Sequence, residues 1–120
     1  MVPGINLNQS FDQISEYWSP KVVGKVNNQL IKIAKLKGEF VWHDHADQDE
    51  LFYIVKGSLE MQFEDGSVHM AEDDMLTVPA GVQHNPVAED ECWVMLIEPA
   101  STLHTGDQVT ELTKSLEQQY

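Results

Sequence analysis

Between Lys21 and Pro99 the apolar residues recur with a period near two, in runs short enough to be strands. "KVVGKVN" and "QLIKIAKLK" alternate or run apolar with β-branched residues, and "LFYIVK" and "SLEMQFE" flank Gly57. "SVHM", "MLTV" and "CWVMLI" follow at short intervals. Such patterning puts successive side chains on opposite faces of a pleated surface. Asp65-Gly66, between "MQFE" and "SVHM", predicts a two-residue hairpin turn, because both residue types accept positive φ. Gly38, Pro79-Ala80-Gly81 and Asn85-Pro86 punctuate the rest. Many short strands with regular turns in 120 residues mean an all-β barrel or sandwich.

Ahead of the strands, Leu7, Phe11, Ile14 and Trp18 fall at helical spacing. They predict one short amphipathic helix over roughly residues 8–17, ended by Pro20 and packed outside the β structure. The tail "STLHTGDQVTELTKSLEQQY" is polar and weakly patterned, suited to a short terminal helix or a frayed end. A chain of this length buries about two-thirds of its unfolded surface, enough for a core without staples. The expectation is one domain over 1–120, with the barrel core at about 21–99.

Charge narrows the partners. Twenty acidic residues face seven lysines and no arginine, for a net charge of −13. That field repels nucleic-acid phosphates and anionic lipid headgroups, so neither nucleic acid nor a membrane is expected as a partner. Without arginine the usual bidentate clamp for phosphate or carboxylate is missing, which favours neutral or metal-chelating small-molecule ligands. Cys92, the single cysteine, lies in "CWVMLI" and reads as a small buried hydrophobe. With no signal-like start and no apolar run of spanning length, the expected setting is cytoplasmic.

The chemistry is concentrated in "VWHDHADQDELFYIVKG", residues 41–57. If the chain is extended there, His43 and His45 share a face while Trp42 and Asp44 point away. "ADQD" can turn the chain and bring Glu50, the first residue of the next strand, beside the two rings. "VPAGVQH" then delivers His84 from a different strand. Three imidazoles and one carboxylate suit a first-row divalent transition metal: iron, manganese, nickel, copper or zinc. The plainer reading of a His pair on a strand is a surface or rim pair, and His69 and His104 fit it. Asp44, Asp47 and Asp49 read as a solvated charge run beside a turn.

The combined pattern resembles the cupin superfamily. The first cupin motif is G, five residues, H-x-H, three or four residues, E, six residues, G. Here Gly38 is followed by four residues, then His43-Asp44-His45, four residues, Glu50, six residues and Gly57. The second motif is G, five residues, P-x-G, two residues, H, three residues, N. Asp73 stands at its first glycine, Pro79-Ala80-Gly81 and His84 match, and Ala88 replaces the final asparagine. The departures fall on turn and support positions. The chain is similar to small single-domain cupins labelled as mannose-6-phosphate-isomerase-like, which also carry an "IEP" followed by a threonine-glycine-aspartate turn, here Ile97-Glu98-Pro99 and Thr105-Gly106-Asp107.

The resemblance implies a double-stranded β-helix, or jelly-roll barrel, with one divalent metal on His43, His45, Glu50 and His84. It implies a small-molecule metalloenzyme of dioxygenase or isomerase/lyase type, with Glu50 able to act as a base. The alternative is a non-catalytic metal- or small-ligand-binding module. A phosphosugar would want a cationic clamp, for which only Lys32, Lys35, Lys37 or Lys56 offers itself. Parity places Val41, Phe52, Ile54, Leu76 and Val78 on the side of the ligands, as pocket wall or barrel core. The outward surfaces of "VVGKV" and "FVW" are the expected faces of a homodimer.

Overall fold

The computed structural model describes residues 2–100 and 116–120. Seven strands follow one another: β1 (Lys21–Val26), β2 (Gln29–Glu39), β3 (Glu50–Lys56), β4 (Leu59–Phe63), β5 (Gly66–Met70), β6 (Met75–Val78) and β7 (His84–Pro99). Helices α1 (Leu7–Asp12) and α2 (Leu116–Gln119) flank them. All pairings between strands are antiparallel.

β7 organises the barrel. One edge pairs with β2 from Gln29↔Pro99 to Glu39↔Val87. The other edge is shared, with β4 taking His84–Val87 and β3 taking Trp93–Ile97. β1 extends the sheet from β2, β6 from β3, and β5 completes a hairpin with β4. This is an all-β jelly-roll barrel, and the alternation in the sequence decides its inside. Leu30, Ala34 and Leu36 of β2, Phe52 and Ile54 of β3, and Cys92, Val94 and Leu96 of β7 are buried on one parity. Each such aliphatic or aromatic side chain contributes about 1.5–3 kcal/mol by leaving water. Cys92 is fully buried, and burial pushes its thiol up to about 12, in keeping with an inert core residue.

α1 packs outside the barrel as expected, with Phe11 stacked on Trp93 at 4.7 Å and set against Ile33. It is shorter than its apolar spacing suggests. Asn6 caps it by accepting the Gln9 N–H at 3.0 Å, and it stops at Asp12. Ile14 stays in the outer cluster, but Trp18 turns away at φ 57°. Its backbone N–H donates to the Lys35 carbonyl at 2.9 Å and its indole N–H to the Lys37 carbonyl at 2.9 Å. A helix continued to residue 17 would forfeit both bonds, so docking on β2 wins over helical propagation.

The β4–β5 hairpin forms, with its turn one residue earlier than the dipeptide indicates. Glu64 and Asp65 make the turn without positive φ, and Gly66, at φ 146°, opens β5 opposite Phe63. Asp73, standing where the second motif has glycine, itself adopts φ 70°. Its side chain accepts a hydrogen bond from the Tyr53 hydroxyl, and its N–H donates to the Ile54 carbonyl at 2.9 Å. Aspartate tolerates this left-handed conformation better than most residues.

Gly57 is different. At φ 87° it lies so close to β7 that an added Cβ would meet the Glu91 carbonyl oxygen at 2.8 Å. Gly57→Ala is therefore expected to cost about 3 kcal/mol or more, from backbone strain plus a clash with main chain. Gly38→Ala, at φ 84° but facing open space, should cost only about 1–2 kcal/mol. Urea unfolding of the two variants checks the difference.

Residues 101–115, including His104 and Thr105-Gly106-Asp107, lie outside the described residues. α2 rests near β1, where Lys21 Nζ donates to the Gln118 carbonyl at 3.2 Å. Among the described residues no helix is long and apolar enough to cross a membrane.

Candidate metal centre

Backbone pairing brings the four side chains together. The His43 N–H donates to the His84 carbonyl at 3.0 Å, and the His84 N–H returns the bond at 2.9 Å, so the two residues face each other across an antiparallel bridge. A turn at residues 46–47 reverses the chain, and Glu50 enters β3 pointing inward. Asp44 and Asp49, expected to be merely solvated, instead join this loop to the Pro79-Ala80-Gly81 turn. Asp44 accepts from Gln83 Nε2 at 2.9 Å and Asp49 from the Ala80 N–H at 2.9 Å. The Gly81 N–H adds a bond to the His45 carbonyl at 2.8 Å. His69 lies elsewhere, exposed and paired with Glu60 at 3.0 Å.

One ligand atom from each of His43, His45, Glu50 and His84 lies within 4.8 Å of the others, and all four residues are buried. His43 Nδ1 faces the Val41 carbonyl at 2.8 Å and His84 Nδ1 faces the Val82 carbonyl at 2.9 Å. A carbonyl can only accept, so Nδ1 carries the proton in each ring and Nε2 keeps its lone pair. His45 Nε2 and His84 Nε2 stand 3.3 and 3.6 Å from Glu50 Oε1. None of these three atoms has a hydrogen-bond partner. Unpartnered acceptors converging in a dry interior are costly unless a cation lies among them. Bonds of about 2.0–2.2 Å to a shared ion would space neighbouring ligand atoms about 3–3.5 Å apart. The donor set fits a divalent transition metal.

The local field agrees. Burial, then the charge of His84, pushes His43 down to about 4, so its imidazole is neutral at physiological pH. The His43 shift has a signed consequence. The unfolded chain takes up a proton near 6.5 that the folded chain refuses until about 4, so the metal-free protein is less stable at low pH. Its unfolding free energy is expected to fall by about 3 kcal/mol between these values. Urea unfolding across that window measures the slope, which His43→Gln should flatten.

A small cavity of about 30 Å³, open on one side to solvent, adjoins the donors. Trp18, Pro20, Ala34, Leu36, Phe40, Phe52, Pro86, Val94 and Leu96 wall it, and His43 and Glu50 supply its polar atoms. Trp18 stacks on Phe40 at 4.7 Å, and Phe40 meets His43 edge-on at 5.5 Å. Of the five residues that parity suggested, Phe52 lines this space. Ile54 and Val78 lie in the core, Leu76 packs against it half-buried, and Val41 contributes its carbonyl to His43. Most walls come instead from β2, β7 and the segment before β1. The even-numbered residues of "QLIKIAKLK" and "CWVMLI" carried that signal, while Trp18 and Pro20 were absorbed by the predicted helix and its stop.

Among the described residues no lysine lines the cavity. Lys35 and Lys56 lie over the Trp93 ring on the outside. Lys32 is fully buried, with Nζ 3.2 Å from Glu98 Oε1. Glu98 is raised well above the usual carboxylate range by burial and by the negative charge of Glu50, against the pull of Lys32. A cationic phosphosugar clamp is therefore absent from the cavity.

Comparison with known proteins agrees with this architecture. The family model of the cupin domain matches residues 30–98. A crystal structure of a cupin-2 domain protein from Shewanella frigidimarina superposes with a TM-score of 0.78 at 42% identity, covering 79% of this chain and 93% of that one. Protein NMB1881 from Neisseria meningitidis gives a TM-score of 0.75 at 35% identity, over 81% and 99% of the two chains. The uncharacterized protein YdbB of Bacillus subtilis is 31% identical over 80 residues, 66% of this chain and 71% of that protein. With the family match covering more than half of its length, and both motif segments inside that match, the chain belongs to the cupin domain family.

Proposed function

We propose that the protein is a metal-dependent enzyme acting on a small molecule, with one divalent transition metal on His43, His45, Glu50 and His84. The observation that carries this reading is the convergence of four buried donors, three with unpartnered lone pairs, at the wall of an apolar cavity. A bound metal of this kind supplies Lewis acidity and, where redox-active, a site for dioxygen chemistry. The chain supplies the rest. The Val41 and Val82 carbonyls fix the tautomers of His43 and His84. Trp18, Phe40 and Phe52 exclude water and offer flat apolar surface to a substrate. Glu50 faces both the imidazoles and the cavity, which places its carboxylate to take a proton from a bound molecule.

The test is elemental analysis of protein purified under nitrogen without a metal-binding tag. About one iron, manganese, nickel or copper per chain directs assays to oxygen uptake, and zinc to isomerase or lyase chemistry. A metal-bound protein with no turnover in either screen would be a binding module. No metal after reconstitution would overturn the proposal.

The protein is also proposed to act as a homodimer. Among the described residues β1 pairs only with β2, which leaves the other side of "VVGKV" as an edge, and Trp42 of "FVW" is 42% exposed. Light scattering should give twice the chain mass of 13.6 kDa. A particle of the chain mass would remove this part of the proposal.

A further inference from the structure

Lys32 is the least expected residue inside this barrel. It shares the inward parity of Leu30, Ala34 and Leu36, and both it and Glu98 are fully buried. The register explains their meeting. Leu30 pairs with Glu98 across the β2–β7 ladder, so Lys32 reaches Glu98 diagonally on the same face, 3.2 Å from Nζ to Oε1. On the other edge of β7, Leu51 pairs with Ile97. One rung beyond that register, Glu50 comes beside Glu98 on the neighbouring strand. A continuous line of buried ionisable groups thus runs from β2 through β7 to Glu50 on β3.

Barrel packing does not require this line. Replacing a buried ion pair by apolar side chains of similar volume is often neutral or stabilising. Among the described residues, Lys32 Nζ and both Glu98 carboxyl oxygens have no hydrogen-bond partner beside their mutual ion contact. The register leaves Glu50 as the ionisable group next in line on the far edge of β7.

We infer that Glu98 and Lys32 are positioning residues of the metal centre: Glu98 braces the Glu50 carboxylate from behind, and Lys32 holds Glu98 in place. The inference rests on the proposed metal site. It assigns a role to two residues outside the ligand set, and partners behind a ligand typically change metal affinity about 10–100-fold when lost.

The experiment uses the full chain, stripped by a chelator and reconstituted with Co(II). Affinity is read by competition with a chromophoric chelator, and ligand geometry by the visible ligand-field spectrum. Glu98→Leu should weaken Co(II) binding about 10–100-fold and shift the spectrum. Glu98→Gln should restore affinity to within a few-fold of the unaltered chain, because its amide oxygen can accept from Lys32 while its N–H donates to Glu50. If Glu98→Leu fails to fold, the double variant Lys32→Met/Glu98→Leu replaces the pair with apolar atoms. It should fold and still show the weakened affinity and shifted spectrum. A folded Glu98→Leu or double variant with unaltered affinity and spectrum would overturn the inference while leaving the metal site standing. An unaltered chain that binds no Co(II), or whose binding survives His84→Ala, removes the metal site and this inference together.

Discussion

His84→Ala is expected to leave a folded barrel that no longer retains metal. His84 is fully buried and is the ligand carried by β7, whereas His43, His45 and Glu50 all come from residues 43–50. Losing it removes the Nε2 that stands 3.6 Å from Glu50 Oε1, and leaves two imidazoles and a carboxylate. The loss in affinity should exceed the roughly 10–100-fold typical of partners behind a ligand. Stability of the metal-free form should change by only about 1–2 kcal/mol. The imidazole is no part of the main apolar cluster of Phe52, Ile54, Leu59, Met61 and Val94. Elemental analysis alongside circular dichroism separates the two effects. A folded variant with near-stoichiometric metal would show that the ion sits elsewhere.

Lys32→Met should destabilise the metal-free protein by about 3–5 kcal/mol at neutral pH, because removing one partner leaves the other buried without compensation. The penalty has a direction with pH. Burial and Glu50 already raise Glu98, and losing the ammonium raises it further. A carboxyl raised on folding contributes stability that is fully present below its unfolded pKa and lost as pH rises toward its folded value. The difference between Lys32→Met and the unaltered chain should therefore shrink near pH 4 and widen toward neutrality. Urea unfolding at both ends measures it. Adding Glu98→Leu should return most of the loss. A single variant within about 1 kcal/mol of the unaltered chain at neutral pH would show that the buried pair carries no such cost.

These two residues also mark what could be read before the structure. The strands were legible because alternation in "LFYIVK" or "CWVMLI" is a direct image of the barrel's inside and outside. The convergence of His43, His45, Glu50 and His84 was legible because they fall in two spaced motifs. The hairpin turn was displaced by one residue because Asp-Gly can serve either as a turn or, as at Gly66, as a strand entry. Trp18 was misplaced because a helical stripe is a local pattern, while its hydrogen bonds to Lys35 and Lys37 carbonyls are long-range. Lys32 sat on the inward parity of "QLIKIAK" in plain view. The sequence offers it only as one of four lysines for a cationic clamp, since its compensation by Glu98, 66 residues away, depends on a register that neither segment encodes alone. The cavity walls were missed for the same reason: parity names the inward face of a strand, but strand order decides which inward faces enclose space.

The shared edge of β7 has a consequence for how the protein opens. His84 lies at one end of the strand and Glu98 near the other, and between them β7 is hydrogen-bonded to β2, β3 and β4. Fraying at the periphery, in β1, β5 or β6, leaves that strand in place. The ladders on both sides of this longest strand must break together before β7 can leave the barrel. The slowest-exchanging amides should therefore lie in β7 and in the stretches of β2 and β3 paired with it, and report a single cooperative opening.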